Sequence, residues 1–588
     1  MRTPTLQYLY LQKPVTMVII ICIISVLPWI GLGDFSTKGE PREASVAISM
    51  LESCNWILPQ VYANEFAYKP PMAHWLMAAF SYPQGYVSEF TSRLPSTIAF
   101  ICLMGCTLMF FGRRIKFQQA FIATLLLLTC IEMHRAAMTT RVDMLLTTFI
   151  VIGLYQLFRW EDQLELKGLP VIIPVLLGCA VLTKGPVGVI LPLFVFGAYL
   201  LMLRKYSLLT IFKALLYIGV SSLFLPLLWY IAAWKQGGDK FLDVVLAENF
   251  GRFFHLNTPD INYDLGHENG VWYNFMTLAA GFIPWTIFFF FSLFGLNWQR
   301  KKVSFKQMLK DSWNNILSME KEKLFSLVAL VCIIFFYSIP SSKRSVYLMP
   351  AYPFIAIFLA QYAIYITEYR TKVTRIFAAF LASVTTVVLI AIGLTMIGVI
   401  DPVAIASQYT SRTSTLAQVE AVSNIFSFSY GLTVCIVIVV LVALLTVLYQ
   451  MFKKINIKIL YATIALSFTI NLLIDGVIMR GIRQDGSARP FAEKVMKEYP
   501  LNENNMFVMN NLKKYRNLYG LNFYLGNRFH NFEQEMPEEG FFFATSSDLE
   551  VVLKNYEGQY TFNILTSSER IIHEVRRPVV LCSFLRVK

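Results

Sequence analysis

The sequence predicts a polytopic α-helical membrane protein with a small extracytoplasmic α/β domain at its C-terminus. Of the 588 residues, 56% are apolar and only 15% are charged, whereas an average soluble domain has about 25% charged residues. Apolar runs close to the roughly 20 residues that cross a bilayer recur along the chain. After Met479 the composition turns polar and short β-rich runs appear.

Thirteen apolar runs are predicted to span the membrane. They lie near residues 15–33, 91–112, 118–133, 143–158, 169–183, 186–203, 207–233, 272–296, 324–340, 346–366, 376–400, 430–451 and 459–476. Basic residues gather in the short loops on one side of these runs, so the positive-inside rule predicts a cytoplasmic N-terminus and an external C-terminus. The net charge of +14 therefore follows from topology and does not indicate a nucleic-acid partner.

The spans define a transmembrane domain over residues 1–479, with long external loops at 34–90 and 235–271. Residues 480–588 are predicted to form the soluble domain, with helices near 489–499, 512–524 and 547–556 and strands at "MFVMN", "GFFFAT" and "YTFNIL". Within the first loop, Ala44, Ile48 and Leu51 repeat at helical spacing, which predicts an amphipathic helix at the membrane interface. Most cysteines lie in apolar spans. Only Cys54 and Cys582 are expected in water, which allows at most one disulfide.

Charged residues in the external loops are informative because topology alone favours their absence. Those near predicted membrane boundaries are Lys38, Glu40, Arg42, Lys69, Arg141, Asp143, Lys184, Arg252, His267, Lys343 and Arg344. If the helices gather these loops around one cavity, that cavity holds many cations and a few carboxylates. Burying an unpaired ion costs several kcal/mol, so such a cavity suits an anion at the membrane surface. The headgroup of a polyprenyl phosphate is a suitable anion, since its tail partitions into lipid.

Several of these residues also have an ordinary structural explanation. Lys69 in "YKPP" follows an extended segment that the prolines stiffen, but a lysine there could equally snorkel to the interface. Glu40 and Arg42 in "KGEPREA" could be charges at a helix N-terminus. Asp143 in "TTRVDMLLTTF" could be a helix cap.

The remaining candidates leave similar alternatives open. Lys184 in "LTKGPVG" could belong to a structural turn, and His267 could be an ordinary loop histidine. In "SSKRSVYLMPAYP", Lys343 and Arg344 break the topology rule together, which argues against a purely passive loop.

The motifs around these residues follow one another in a familiar order. They read "TKGEPREA", "NWILPQ" followed by "KPP", "RVDMLLTTF", "LTKGP", "AENFGRF", "GFIPW" and "SSKRSVYLMPAYP". As an ordered set from residue 28 to about 355, they resemble the bacterial membrane glycosyltransferases of the aminoarabinose transferase and protein O-mannosyltransferase superfamily, which have the GT-C fold. The resemblance implies a polyprenyl-phosphate-linked monosaccharide as donor and transfer on the extracytoplasmic face.

The resemblance also implies roles for individual residues. These enzymes have an acidic residue in the first external loop, often within an Asp-Glu pair. Here the pair reads Gly39–Glu40, so the catalytic role is assigned to Glu40 with Asp34 as the reserve. The family's lysine before two prolines, which faces the lipid phosphate, corresponds to Lys69, and the tyrosine of its late motif corresponds to Tyr347.

The aminoarabinose transferases have a glutamate directly before that lysine, which is linked with a later histidine to metal binding. This chain has Tyr68 there, so no metal ligands are assigned, a divalent metal is not a certain cofactor, and His267 is assigned to the phosphate site. The complete substrate-binding set is Lys69, Arg42, Tyr347, Lys184, Arg252, His267, Lys343 and Arg344.

The predicted reaction is a direct displacement at the anomeric carbon with inversion. Glu40 would act as general base or orient the acceptor, and Asp143 would position the acceptor or support that carboxylate. Lys69, Tyr347 and neighbouring cations would stabilise the charge on the departing lipid phosphate. The acceptor could be a lipid A-like lipid, a glycan or a protein hydroxyl.

Two other functions remain open at this stage. A transporter or flippase for polyprenyl-linked sugars would place its ionisable groups near mid-membrane, whereas the charges here gather at span ends. A glycan polymerase or ligase would differ in the length of its product. The expected location is the bacterial plasma membrane, with the active site and the C-terminal domain on the periplasmic side, and a monomer is expected.

Overall fold

A helical membrane part and a C-terminal sheet make up the chain. The computed structural model describes residues 12–35, 37–63, 65–67, 69–246, 269–270, 272–295, 304–340, 342–426, 431–510 and 515–587. The first elements are α1 (Pro14–Val26), α2 (Gly39–Ser53), the antiparallel strands β1 (Gln60–Val61) and β2 (Glu65–Phe66), and α3 (Met72–Ser81).

Eighteen α-helices of the described residues lie between α3 and the C-terminal domain, and most of them are apolar. They are α4 (Glu89–Gly112), α5 (Phe117–Thr129), α6 (Ile131–Ala137), α7 (Val142–Leu164), α8 (Ile172–Lys184), α9 (Val187–Leu203), α10 (Leu208–Leu246), α11 (Trp272–Gly281), α12 (Trp285–Phe294), α13 (Phe305–Leu317), α14 (Lys321–Ser338), α15 (Tyr352–Tyr369), α16 (Thr371–Met396), α17 (Pro402–Tyr409), α18 (Thr413–Ile425), α19 (Gly431–Lys453), α20 (Asn456–Leu473) and α21 (Met479–Asp485). α10 is interrupted by non-helical backbone at Gly238.

Each of the thirteen predicted spans coincides with one of these helices or with a bent pair of them. By length and composition, seven helices in the described ranges can cross a bilayer, and nine if each bent pair counts as one span. The bent pairs are α5–α6, at 66°, and α11–α12, at 101°. The protein is therefore a multi-pass membrane protein, and the number of thirteen spans stays a prediction.

The C-terminal domain is a five-stranded mixed sheet with helices. Its elements are α22 (Arg489–Glu498), β3 (Met506–Val508), α23 (Tyr519–Tyr524), β4 (His530–Asn531), α24 (Phe532–Glu535), β5 (Glu539–Thr545), α25 (Ser546–Asn555), β6 (Tyr560–Ser567) and β7 (Val579–Arg586). The strand order is β4-β3-β5-β7-β6, with β3 parallel to β4 and β5 and the other pairs antiparallel. Alternation along β5 sends Phe541 and Phe543 into one core and Phe542 into the other.

Two features of this domain differ from the sequence prediction. The strand β7 was not predicted, although it pairs with both β5 and β6. Cys582 lies on β7 and is buried in the apolar core, so the expectation of an aqueous Cys582 was wrong. Both Cys54 and Cys582 are free thiols.

The helix α2 is enclosed between the two parts of the protein. It packs against α3 and α4 of the membrane part and against α23 of the C-terminal domain. Most of its residues from Glu40 to Met50 are buried. The predicted helix is present, but it does not expose a charged face to water, because Glu40 and Glu43 are buried too.

A set of polar contacts joins the C-terminal domain to the membrane part. Arg489 at the start of α22 contacts Asp34, at 3.1 Å, and Glu89. The Tyr524 hydroxyl donates to Glu89 Oε1 at 2.8 Å and accepts from the Phe35 N–H at 2.9 Å. The position of the sheet domain over α2 therefore depends on ionic contacts as well as on packing.

We expect Arg489→Gln to weaken this junction, because it leaves the carboxylates of Asp34 and Glu89 beside each other without their cation. Arg489 is partly exposed, so solvent screening limits the loss to about 1–2 kcal/mol. Thermal unfolding of the purified full-length protein in detergent measures the effect. Arg586→Gln, at an exposed position of the same domain, is the matched control, and equal midpoints for the two variants would contradict this role of Arg489.

Candidate active site

A fully buried arginine in α4 organises the chain around α2. Arg93 Nε donates to Glu40 Oε1 at 3.0 Å, and Arg93 Nη1 donates to the carbonyls of Ile30, at 2.8 Å, and Gly33, at 3.1 Å. Its guanidinium also lies over the ring of Phe35, 5.1 Å from the centroid. One side chain thus ties the loop after α1 to the first turn of α2.

The carboxylate of Glu40 is enclosed by protein groups that donate hydrogen bonds to it. Its Oε1 also accepts the backbone N–H of Thr140 at 3.1 Å, and its Oε2 accepts from the Thr37 hydroxyl at 3.4 Å. Burial favours the protonated form, but Arg93, Arg483 and the hydrogen bond from Thr140 outweigh it and lower the pKa of Glu40. Glu40 is therefore a buried, ionised anchor of α2.

The next acidic residue of α2, Glu43, is the centre of a polar cluster. Lys69 Nζ donates to Glu43 Oε1, and Arg42 Nη2 donates to the same oxygen at 3.1 Å. His74 Nε2, near the start of α3, lies 2.9 Å from Glu43 Oε2. His74 is 1% exposed and Glu43 is 5% exposed, whereas Lys69 and Arg42 remain partly open. Three basic side chains thus surround one carboxylate at the edge of a cleft.

Burial and neighbouring charges shift the pKa values of this cluster in opposite directions. Burial would raise the pKa of Glu43, but Lys69, His74 and Arg42 hold it well below its usual range. Burial, together with the neighbouring Arg42, lowers the pKa of Lys69 to about 8, while Glu43 and Asp143 act in the opposite direction. The Lys69 ammonium is therefore easier to deprotonate than an ordinary lysine.

A second carboxylate with its own cation lies beside this cluster. Lys184 Nζ, at the end of α8, donates to Asp143 Oδ1 at the start of α7. The same ammonium lies 4.2 Å from the ring centroid of Tyr347. Asp143 is close enough to influence the pKa of Lys69, so the two clusters share one electrostatic environment.

The turn between α8 and α9 fixes Lys184. Gly185 has a φ of +81°, a conformation that glycine adopts without a Cβ clash. A Cβ on Gly188 would lie 2.4 Å from the backbone of Ala180 and Val181, so only glycine permits this close helix approach. The backbone at Lys184 is therefore held in a rigid turn. The helix α3 packs against α8, the helix that ends at Lys184.

Arg141 is a further cation at this site. Its guanidinium lies where a side chain at position 39 would point, since a Cβ on Gly39 would be 3.6 Å from Arg141 Nη2. Across the part of the chain that the structure describes, this guanidinium forms no hydrogen bond or ion pair. Gly39 thus opens a space beside an available cation, one helical turn before Glu43.

The C-terminal domain forms one wall of the cleft. Tyr519 lines it together with Arg42, Glu43, Lys69 and His74, and the cleft encloses about 30 Å³, which is room for about one water molecule. The Tyr519 ring lies 6.0 Å from the Arg42 guanidinium carbon. The start of α23 is fixed by Gly520, whose N–H donates to Glu574 at 2.7 Å.

The structure brings together only some of the residues chosen from the sequence. Those in or beside the two clusters are Lys69, Arg42, Asp143, Lys184 and Tyr347. Asp34 instead pairs with Arg489 at the domain junction. Lys343 is buried and donates to the carbonyls of Asn269 and Pro340.

Three further residues were assigned to the site from the sequence: Arg344, Arg252 and His267. The side chain of Arg344 makes no hydrogen bond or ion pair within the described ranges, whereas its backbone carbonyl accepts from the N–H of Tyr347. Arg252 and His267 lie outside the described residues, as does Tyr68. In the part of the chain that the structure describes, no three His, Cys, Asp or Glu side chains gather into a metal-ligand set.

Three residues of this region were not selected from the sequence. Glu43 lies four residues after Gly39, so helical periodicity places both on one face of α2, and this signal could have identified it. His74 lies in the "KPPMAHW" motif, five residues after Lys69. Arg93 is enclosed in an apolar run, and a charge within such a run is itself a signal of a specific partner.

Several known proteins resemble this chain in sequence over part of its length. Residues 68–230 match the family of dolichyl-phosphate-mannose-protein mannosyltransferases. An uncharacterised protein of Aquifex aeolicus is 27% identical over 359 residues, which cover 60% of this chain and 64% of that protein. The undecaprenyl phosphate-alpha-4-amino-4-deoxy-L-arabinose arabinosyl transferase of Shewanella sediminis is 24% identical over 353 residues, or 59% of each chain. The chain thus spans less than two thirds of the length of these relatives.

Solved structures extend the likeness over nearly the whole chain. The crystal structure of ArnT from Cupriavidus metallidurans bound to undecaprenyl phosphate matches with a TM-score of 0.69 at 17% identity, covering 96% of this chain and 97% of that one. The apo structure of the same protein gives a TM-score of 0.66. These matches agree with the resemblance drawn from the sequence motifs, and the solved structures show that the chain has the same polytopic helical fold, the GT-C fold.

Proposed function

We propose that the protein transfers a monosaccharide from a polyprenyl-phosphate donor to an acceptor on the extracytoplasmic face of the bacterial plasma membrane. The observation that carries this proposal is the pair of adjacent clusters centred on Glu43 and Asp143 at the ends of membrane helices. The names of the matching family and of the Shewanella sediminis relative, both glycosyltransferases, support the same class of reaction.

The excess of cations supports binding of a lipid phosphate. Four cations, Arg42, Lys69, Arg141 and Lys184, share two carboxylates in this region. A phosphate that enters between them gains charge-assisted hydrogen bonds. The Arg141 guanidinium makes no hydrogen bond or ion pair among the described residues, so it can bind the phosphate without breaking an existing contact. The isoprenoid tail would lie along the apolar helices, as it does for any lipid with its headgroup at the interface.

We assign the role of general base to Glu43 in place of Glu40. Glu40 is held by Arg93 and Thr140 and does not line the cleft, so an acceptor in the cleft cannot reach it. Glu43 borders the cleft and stands one turn after Gly39, the position of the family's aspartate. When Lys69 turns from Glu43 to the donor phosphate, Glu43 loses its nearest cation and its basicity rises.

The reaction then proceeds in one displacement. The acceptor hydroxyl or amine attacks the anomeric carbon, and the bond between that carbon and the phosphate oxygen breaks. The acceptor proton passes to Glu43, and the lipid phosphate leaves with the bonding electrons, stabilised by Lys69, Arg141 and Lys184. Asp143 holds Lys184 in place. A single displacement inverts the anomeric configuration.

We expect Glu43→Gln to lower the rate of transfer by about 10²–10⁴-fold, because the substitution removes general-base catalysis. The product is followed by mass spectrometry of envelope lipids and glycoproteins from cells that lack the chromosomal gene and express each variant. Transfer is normalised to the amount of monodisperse protein in the membrane. A new monosaccharide on an acceptor also separates transfer from simple transport of the donor.

Glu40→Gln is the matched comparison on the same helix. It removes the charge that balances the buried Arg93 and should cost about 3–5 kcal/mol of stability, while transfer per folded molecule persists. The opposite pattern, with an active Glu43→Gln protein and a folded but inactive Glu40→Gln protein, would return the base to Glu40.

We expect donor binding to weaken as the pH rises above about 8, because the pKa of Lys69 is lowered to about 8 and the neutral amine no longer attracts phosphate. A sugar phosphodiester keeps one negative charge throughout this range, so the donor itself does not titrate. Binding of a short-chain polyprenyl phosphodiester, measured by calorimetry between pH 7 and 10, tests this dependence.

Lys69→Arg supplies the control for this titration. A guanidinium stays protonated up to a pH of about 12, so the variant should bind the phosphodiester with little change from pH 7 to 10. A parallel decline in both proteins would mean that another group controls the pH dependence.

A further inference from the structure

A second polar cavity lies at the opposite end of the helices that carry the active site. It encloses about 520 Å³ and is lined by the final turns of α4 and α7 and the start of α14. Arg93 lies at the active-site end of α4, and Arg113 follows the other end of that helix. At a rise of about 1.5 Å per residue these two arginines are about 30 Å apart, so the cavity opens near the other membrane surface.

Three arginines line this cavity. Arg114 is held in place because its Nη1 donates to the Phe110 carbonyl at 3.0 Å and its guanidinium lies 4.4 Å from the Phe110 ring centroid. Arg159 Nη1 donates only to Gln156, at 3.3 Å. The side chain of Arg113 is exposed and makes no hydrogen bond or ion pair within the described ranges. Most of the guanidinium N–H groups at the cavity are therefore available to a ligand.

The acidic residues at the cavity do not cancel this charge. Asp162 and Glu322 also line it, but Asp162 is paired with Lys321 at 3.1 Å. Three guanidinium groups therefore line the cavity, and Glu322 is the one lining carboxylate that has no lysine partner among the described residues. Arginine binds phosphate through paired N–H groups and is less strongly hydrated than lysine, so a phosphate group is the ligand chemistry that fits.

The floor of the cavity is apolar and continues onto the lipid-facing side of α4. Met109, which is 43% exposed, lines the cavity. Ile98 and Cys102, at helical spacing before it, are exposed on α4. The stacked rings of Phe110 and Tyr155, with centroids 4.2 Å apart, form a rigid wall. The arginine-lined opening of the cavity therefore adjoins an apolar stripe on α4, formed by Ile98, Cys102 and Met109. An amphiphile can place its charged group at the arginines and its apolar chain along this stripe.

We propose that this cavity binds the phosphodiester headgroup of an anionic membrane phospholipid, with an acyl chain along the stripe from Ile98 to Met109. Basic pockets between membrane helices commonly hold such headgroups. A soluble phosphate compound shares the headgroup chemistry but makes no use of the stripe. Since the bound lipid bridges α4 and α7, whose other ends carry Arg93 and Asp143, it stabilises the packing of the helices that hold the active site.

Thermal unfolding of the full-length protein in detergent, with added phosphatidylglycerol or phosphatidylcholine, tests this site. Phosphatidylglycerol should raise the unfolding midpoint in a saturable manner, and phosphatidylcholine should not. The double variant R113Q/R159Q should bind phosphatidylglycerol at least about tenfold more weakly, because it removes two charge-assisted contacts to the phosphate. Both positions are exposed, so the variant should fold.

Two further variants separate the contributions of charge and apolar contact. Lys458→Gln removes an exposed cation at the start of α20, on the same predicted side of the membrane but outside the cavity, and should respond to phosphatidylglycerol like the parent protein. Met109→Trp fills the stripe while leaving the arginines in place, and it should weaken the response to the lipid.

Two outcomes would overturn the proposal. An unchanged lipid response in R113Q/R159Q would show that the arginines do not hold the headgroup. Stabilisation by glycerol 3-phosphate to the same extent as by phosphatidylglycerol, in both the parent and the Met109→Trp protein, would assign the cavity to a soluble phosphate compound.

Discussion

The buried guanidinium of Arg93 is the constraint on which the active-site region depends. It lies inside an apolar helix, where an unpaired charge would cost several kcal/mol, so the surrounding chain must supply acceptors. Glu40 and the carbonyls of Ile30 and Gly33 do so. Satisfying this one cation fixes the loop after α1, the first turn of α2 and the membrane helix α4 relative to one another.

This constraint also separates the roles of two carboxylates on the same helix. Glu40 pairs with Arg93, whereas Glu43, about one turn further along the helix, contacts a different set of neighbours: Lys69, Arg42 and His74. The C-terminal domain closes the other side through Tyr519. A structural ion pair and a cluster that lines the cleft therefore coexist within one turn of α2, each with its own partners.

The sequence predicts most of the fold because apolar length and local turn chemistry determine it. Helices follow from runs that must satisfy their own hydrogen bonds in lipid, and the lysines in "YKPP" and "LTKGP" stand at rigid corners that the sequence reveals. The choice between Glu40 and Glu43 depends on Arg93, which lies 53 residues beyond Glu40, and no local pattern indicates that pairing. The strand β7 was missed because it is flanked by strands on both sides and largely buried, so it lacks the alternation of a half-exposed strand.

The clusters also explain how a cation-rich site can remain folded before a substrate arrives. Lys69 and Lys184 are each balanced by a carboxylate, so the empty protein avoids much of the repulsion among its cations. Under the proposed function, the donor phosphate must then compete with Glu43 and Asp143 for these ammonium groups, and its net affinity is the difference between two ionic contacts. This competition favours a moderate affinity for the departing lipid phosphate. An enzyme that must release the lipid phosphate as a product needs such a moderate affinity. Arg141 lies within electrostatic range of Asp143, but its guanidinium makes no hydrogen bond or ion pair among the described residues. It therefore provides a contact that does not require breaking an existing one.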